Sequence, residues 1–101
     1  MIAVPNPAEI IEYLQKHPGL LVALLVYCGE AQKEFTLTDA ELSLELYRDP
    51  EIADEYIILY VRCDHYGFEI MERMERVSEI CEPLLVGVDG RMVITTDFRF
   101  P

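Results

Sequence analysis

Cys63, Asp64 and His65 are the one compact set of side chains in this chain with the chemistry to ligate a metal or to pair a nucleophile with a base. A structural zinc site takes four ligands, commonly from two close pairs. A second pair here would have to come from Cys28, Cys81 or His17, which are scattered along the chain. On an extended segment Cys63 and His65 point the same way, but a ring only two positions away does not turn onto the sulfur as a catalytic base must. The same three residues also suit ordinary roles: a buried thiol at a strand end, a carboxylate capping the next helix and an exposed imidazole. Glu51, Asp54 and Glu55 offer oxygen atoms to a divalent cation, but without the EF-hand spacing, and a solvated loop is the preferred reading. The GxSxG, HExxH and Gly-rich phosphate-loop patterns do not occur.

A second kind of chemistry is recognition. Tyr56, Ile57, Ile58, Leu59, Tyr60 and Val61 are aromatic, β-branched or Leu, the composition of a strand with apolar side chains on both faces. Alternation puts Ile57, Leu59 and Val61 on one face and Tyr56, Ile58, Tyr60 and Arg62 on the other. Tyrosine beside arginine is the composition of an interface core. If every helix covers the first face, the second is open to a partner; if the N-terminal helices cover it, the domain has three layers and those tyrosines are core.

Charge narrows the partner. The chain has 101 residues with 19 Asp and Glu against 8 Lys and Arg, a formal charge of −11. No Lys/Arg cluster interleaved with aromatics is present, so neither nucleic acid nor an anionic membrane is an expected partner. A basic protein is admissible, and so is a purely solubilising role for the charge. Three cysteines without a CxxC pair, each inside an apolar or amphipathic run, predict buried reduced thiols and a cytoplasmic protein. The start MIAVPNP has neither a charged nor an apolar leader segment, and the one apolar block, Leu20 to Cys28, is half the roughly 20 residues a bilayer span requires.

The elements that must position these residues follow from periodicity. After an extended arm, Asn6, Pro7 and Glu9 signal a helix start, Ile10, Ile11 and Leu14 its apolar stripe, and Pro18 with Gly19 its end. The block beginning at Leu20 reads as a helix with Leu20, Leu21, Leu24, Leu25 and Cys28 on one face, a buried strand ending at Tyr27 being the alternative. Thr38 to Glu41 resembles a capping box, yet Leu42, Leu44 and Leu46 alternate with polar residues, which predicts a strand. A loop from Asp49 to Asp54 then joins that strand to the next as a hairpin. Beyond the corner, with Asp64 as its cap, Ile70, Met74, Val77 and Cys81 define a helix whose outer face carries Glu69–Arg73 and Glu72–Arg76 pairs. Pro83 stops it, and a second hairpin is expected, Leu84 to Val88 and Met92 to Phe98 about an Asp89–Gly90 turn.

The expectation is one α+β domain over residues 1–101, a two-layer sandwich of two or three helices on a largely antiparallel sheet of about four strands, in the order α-α-β-β-α-β-β. The functional expectation is a non-catalytic protein–protein interaction module. It would act as a homodimer or as the acidic partner of a basic protein, in the manner of an antitoxin, immunity or adaptor protein, with Tyr56, Ile58, Tyr60 and Arg62 as the interface and no cofactor. The rival expectation is a small metal protein or enzyme built on Cys63, Asp64 and His65.

Overall fold

The structure, a computed structural model, describes residues 1–51 and 53–99. It comprises β1 (Ile2–Ala3), α1 (Pro7–Lys16), α2 (Leu21–Phe35), β2 (Glu41–Arg48), β3 (Glu55–Arg62), α3 (Phe68–Cys81) and β4 (Met92–Thr95). Short 3-10 turns at Pro18–Leu20 and Glu82–Leu85 join α1 to α2 and close α3. The strands form one sheet in the order β1-β2-β3-β4, so this is the expected α+β arrangement of helices on a four-stranded sheet.

The β2–β3 hairpin is the longest pairing, antiparallel from Glu41↔Arg62 to Arg48↔Glu55. Its loop is Asp49 to Asp54, closed by the Asp49 N–H on the Asp54 carbonyl at 2.8 Å and by the Glu51 N–H on Asp49 Oδ1 at 2.9 Å. Leu42, Leu44, Ile57, Leu59 and Val61 all fall on one face and are buried against Ala23, Tyr27, Phe35, Ile70, Met74 and Val77 of α2 and α3. Each aliphatic side chain fully buried there contributes about 1.5–3 kcal/mol.

The sheet is mixed, because the short β1–β2 pairing and the β3–β4 pairing are both parallel. The second hairpin does not form. Pro83 is the second residue of a 3-10 turn, for which its fixed φ is suited, and Gly87 adopts φ +77°, a left-handed conformation that interrupts a strand between Leu84 and Val88. Met92–Thr95 instead pairs with β3, and Phe98, at φ +59°, lies exposed past the strand end, its ring edge-on to Tyr66. The N-terminal arm is likewise ordered into the sheet through Ile2↔Leu42 and Ala3↔Ser43.

Local signals are met in part. Asn6 is the N-cap residue of α1, but its side chain makes no capping bond and Glu9 pairs with Arg48 of β2 instead. The N-cap of α3 is Gly67 rather than Asp64. Thr38 closes a turn, donating to the Phe35 carbonyl at 2.9 Å and accepting from the Ala40 N–H at 3.2 Å, so the capping-box pattern leads into a strand. Leu20 to Cys28 is helical, but α2 is rolled relative to the expected face: Ala23, Leu24, Tyr27, Ala31 and Phe35 are buried, while Leu21 and Leu25 are exposed. Burying the side with two aromatic rings and two alanines removes more apolar area and lets α3 approach closely. In α1, similarly, Tyr13 is buried and Ile11 is exposed.

Two glycines give opposite expectations. A Cβ on Gly29, inside α2, would have nothing within 4 Å, whereas Gly90 has φ +99° and its Cβ would stand 2.9 Å from His17 Cβ. Urea unfolding should therefore show Gly29→Ala more stable than wild type by about 1 kcal/mol. Gly90→Ala should be less stable by about 1 kcal/mol or more, since alanine is strained at positive φ and the contact adds to it.

Candidate functional site

All three helices lie on one face of the sheet, so the side chains that alternate to the other face have no layer above them. From β2 these are Ser43, Glu45 and Tyr47; from β3, Tyr56, Ile58, Tyr60 and Arg62; from β4, Val93 and Thr95. The register sets them in rows: Tyr47 beside Tyr56, Glu45 beside Ile58 and Val93, Ser43 beside Tyr60 and Thr95. The four residues expected to form an interface from alternation alone thus share one surface.

Ile58 sits at its centre, outside the main core yet only 4% exposed, because its neighbours fold over it. The Tyr47 and Tyr56 rings are 5.1 Å apart between centroids and tilted, and the Arg91 guanidinium carbon lies 4.0 Å from the Tyr56 centroid. The Arg62 guanidinium stands 4.5 Å over the Tyr60 ring. Arg62 is itself held from two sides, donating to Glu45 Oε2 at 2.9 Å and to Asp97 Oδ2 and Oδ1 at 2.8 and 3.2 Å. Ser43 Oγ donates to the same Glu45 oxygen at 2.8 Å. Stacking and bidentate pairing restrict the rotamers of these side chains.

Electrostatics follow this geometry. The hydrogen bonds to Arg62 and Arg99 hold Asp97 below its ordinary range, Arg62 contributing most, and the Arg62 guanidinium is pushed further up by Asp97 and then Glu45. Burial, then Asp97 and Glu45, raise the Tyr60 phenol, so it stays a neutral donor. All eight Lys and Arg side chains of the chain are engaged in salt bridges.

Cys63, Asp64 and His65 are adjacent but do not converge. The Cys63 side chain is fully buried, its Sγ 3.1 Å from the His65 carbonyl oxygen, while the Asp64 and His65 side chains point into solvent. Burial, reinforced by Asp39, raises the Cys63 thiol above its ordinary value, the direction that suppresses thiolate. Tyr66 braces the corner, accepting from the Cys63 N–H at 3.1 Å and donating to the Arg99 carbonyl. Nowhere among the described residues do three His, Cys, Asp or Glu side chains gather as metal ligands. Of the loop carboxylates, Asp54 pairs with Arg91 and Glu55 with Arg48.

The chain matches no protein-family profile, no curated protein and no solved structure. Its own geometry is what bears on function.

Alternation identified Tyr56, Ile58, Tyr60 and Arg62 but not the groups around them. Tyr47 and Glu45 were legible as polar-side residues of the alternating strand; Val93 and Asp97 join the face only through strand order and the chain that follows the parallel β3–β4 pairing. Nor does any local signal announce that Tyr13 of α1 donates to the Glu55 carbonyl at 3.1 Å and accepts from the Arg91 N–H at 3.0 Å, fastening the starts of β3 and β4 together.

Asp97→Asn tests the brace. A carboxyl whose folded pKa is depressed adds stability that is present above its unfolded value of about 4 and is lost as pH falls through the folded value. Urea unfolding should show the variant less stable at pH 7 by about 1 kcal/mol, a figure discounted for partial solvent screening. The gap should close progressively below about pH 4. A gap independent of pH would mean that the ion pair contributes nothing.

Proposed function

We propose that the protein is a non-catalytic interaction module that works as a homodimer, two copies packing their tyrosine-bearing sheet faces together. The observation that carries this reading is the uncovered face itself, with Tyr47, Tyr56 and Tyr60 around Ile58 and a prebraced Arg62. Aromatic side chains and arginine dominate the energetics of protein interfaces, and two sheets of this kind pack about 10 Å apart.

The distribution of charge favours a second copy as the occupant. Two chains at −11 repel each other wherever their acidic residues are brought together. On the sheet face Glu45 pairs with Arg62 and Asp97 with both Arg62 and Arg99, two acids against two bases, while Glu12, Glu69, Glu75, Glu79 and Glu82 are exposed on the helical side. Face-to-face packing therefore keeps the bulk of the negative charge on the two outer surfaces. Among the described residues no helix is long and apolar enough to cross a membrane. The free thiols Cys28, Cys63 and Cys81 support a reducing compartment, the cytoplasm, as the site of action.

Sedimentation equilibrium at micromolar concentration should give twice the chain mass. Tyr60→Glu, and independently Tyr47→Glu at the more exposed position, should weaken association by about 10-fold or more while the urea midpoint of the monomer moves little. A wild-type protein that sediments as a monomer, or variants that dimerise as wild type does, would remove this reading.

A further inference from the structure

No helix covers the sheet face, but the segment that follows β4 reaches across one end of it. After Thr95 residues 96–99 leave the line of the strand and cross the end of β3. There Asp97 takes the Arg62 guanidinium in a two-point pair, Oδ2 at 2.8 Å and Oδ1 at 3.2 Å, and that guanidinium stands over the Tyr60 ring. Arg99 goes further toward β2, lining one cleft with Ala3, Glu41, Ser43 and Arg62. At this end the face is closed: Ser43 is 7% exposed and the Arg62 side chain 16%, whereas Tyr47 at the other end of β2 is 38% exposed.

The segment is held by side chains and not by a strand ladder, since the β3–β4 pairing ends at Tyr60↔Thr95. Asp97 is anchored on Arg62, the Arg99 carbonyl accepts from the Tyr66 hydroxyl, and the Phe98 ring stands edge-on to Tyr66 at 5.2 Å between centroids. Between these anchors Phe98 takes φ +59°, a left-handed conformation that a bulky residue adopts only where its surroundings impose it. Letting go therefore relieves the backbone. It also leaves Arg62 paired, because the guanidinium keeps Glu45 Oε2 at 2.9 Å and the Tyr60 ring at 4.5 Å. The bonds from the Phe98 N–H to Thr96 Oγ1 and from the Arg99 N–H to Asp97 Oδ1 lie within the segment and travel with it.

We infer that residues 96–99 are an autoinhibitory strap: closed, they occupy the Arg62 end of the face on which a second copy packs, and lifted, they give that copy Ser43, Tyr60 and Arg62. This inference rests on the sheet-face homodimer and adds its regulation. Two sheets packed face to face stand about 10 Å apart, a gap filled by the side chains of both, so a backbone segment lying over one of them leaves no room there. Only molecules with the strap lifted present the whole face, and the apparent affinity falls by the lifted fraction. In a symmetric pair both straps must lift, so the fraction enters twice.

The test uses two variants of the whole protein. Asp97→Asn removes the charge of one anchor; Tyr66→Phe removes the hydroxyl that holds Arg99 and leaves the sequence of the strap intact. Trypsin acting at the bond after Arg99, at a concentration that keeps the protein monomeric, reads the lifted fraction, because a protease needs the residues before the cut free of the fold. Both variants should be cut there about 5-fold faster than wild type, with no faster cutting at Lys33 in α2 or Arg76 in α3. Sedimentation should then show their dimers tighter by about the square of that factor, roughly 25-fold. Faster cutting after Arg99 with unchanged or weaker association would overturn the strap and leave the homodimer standing. Cutting at the wild-type rate, or a rise matched at Lys33, would overturn it by showing that these anchors hold no local segment. Wild type and variants that all stay monomeric remove the homodimer itself, and the strap with it.

Discussion

The antiparallel pairing of β2 with β3 is the constraint on which the rest of the molecule depends. Side chains on a strand alternate with a period of two, so a slip of one residue would exchange the two faces of the hairpin. In the observed register Leu42, Leu44, Ile57, Leu59 and Val61 meet the helices, and Tyr47, Tyr56, Tyr60 and Arg62 lie on the opposite face around a buried Ile58. A slip would drive Arg62 and Glu45 under α2 and α3, and taking charged groups out of water into an apolar core costs several kcal/mol. The loop fixes the choice through the Asp49–Asp54 backbone bond and the Asp49 side chain on Glu51. The parallel additions β1 and β4 then inherit the register instead of setting it.

Charge is the second constraint, and the molecule meets it by sharing. With more than two acids for every base, each arginine can serve several carboxylates: Arg48 joins Glu9 to Glu55, Arg62 joins Glu45 to Asp97, and Arg73 and Arg76 both reach Glu34. These contacts differ in purpose. Arg48 and Glu9 tie α1 to the hairpin end, and Glu34 ties α2 to α3, so both act between elements where the sheet ladder offers nothing. Exposed pairs such as Glu12–Lys16 are worth little by comparison. His17 works in the same way on a smaller scale. Its ring lies against Tyr13, and its Nδ1 is 2.8 Å from Asp89 Oδ2, so the end of α1 holds the turn that leads into β4.

What could be read from the sequence was whatever a single element declares by its own period. The alternation of β2, the two-faced strand β3 and the Ile70–Met74–Val77–Cys81 stripe of α3 are each complete within one segment, and the structure has them where the period puts them. What could not be read depends on a choice between surfaces. For α2, apolar on every side, the period says nothing about which side turns inward; the decision belongs to the volumes of Tyr27, Phe35, Ala23 and Ala31 against α3. For Leu84 to Val88 the apolar residues and the Asp-Gly pair suggested a hairpin, but Pro83 and the positive φ of Gly87 divert the backbone, and the position beside β3 is taken by β4 running parallel. The tyrosine face was half legible for the same reason. Its β3 residues follow from alternation, whereas its braces, Glu45, Asp97 and Arg91, come from other segments.

These two constraints together account for the two-sided character of the molecule. A single helical layer is enough to bury one face of a four-stranded sheet, and it leaves the other face with side chains that must be tolerable in water yet stable against rearrangement. Tyrosines stacked with arginine satisfy both demands, because each ring covers apolar area while its hydroxyl or its cationic neighbour stays hydrated. Solubility alone would be met more simply by lysine and glutamate at those positions, as it is on the outer face of α3, where Glu69, Glu72, Glu75 and Glu79 stand. The contrast lies within one chain of one net charge. The helical layer exposes acids together with Ile11, Leu21, Val22, Leu25, Phe68 and Ile80, and the sheet carries aromatic rings around Ile58. Neither departure adds to the core it flanks: the side chains concerned lie on surfaces that the helices and the sheet leave open.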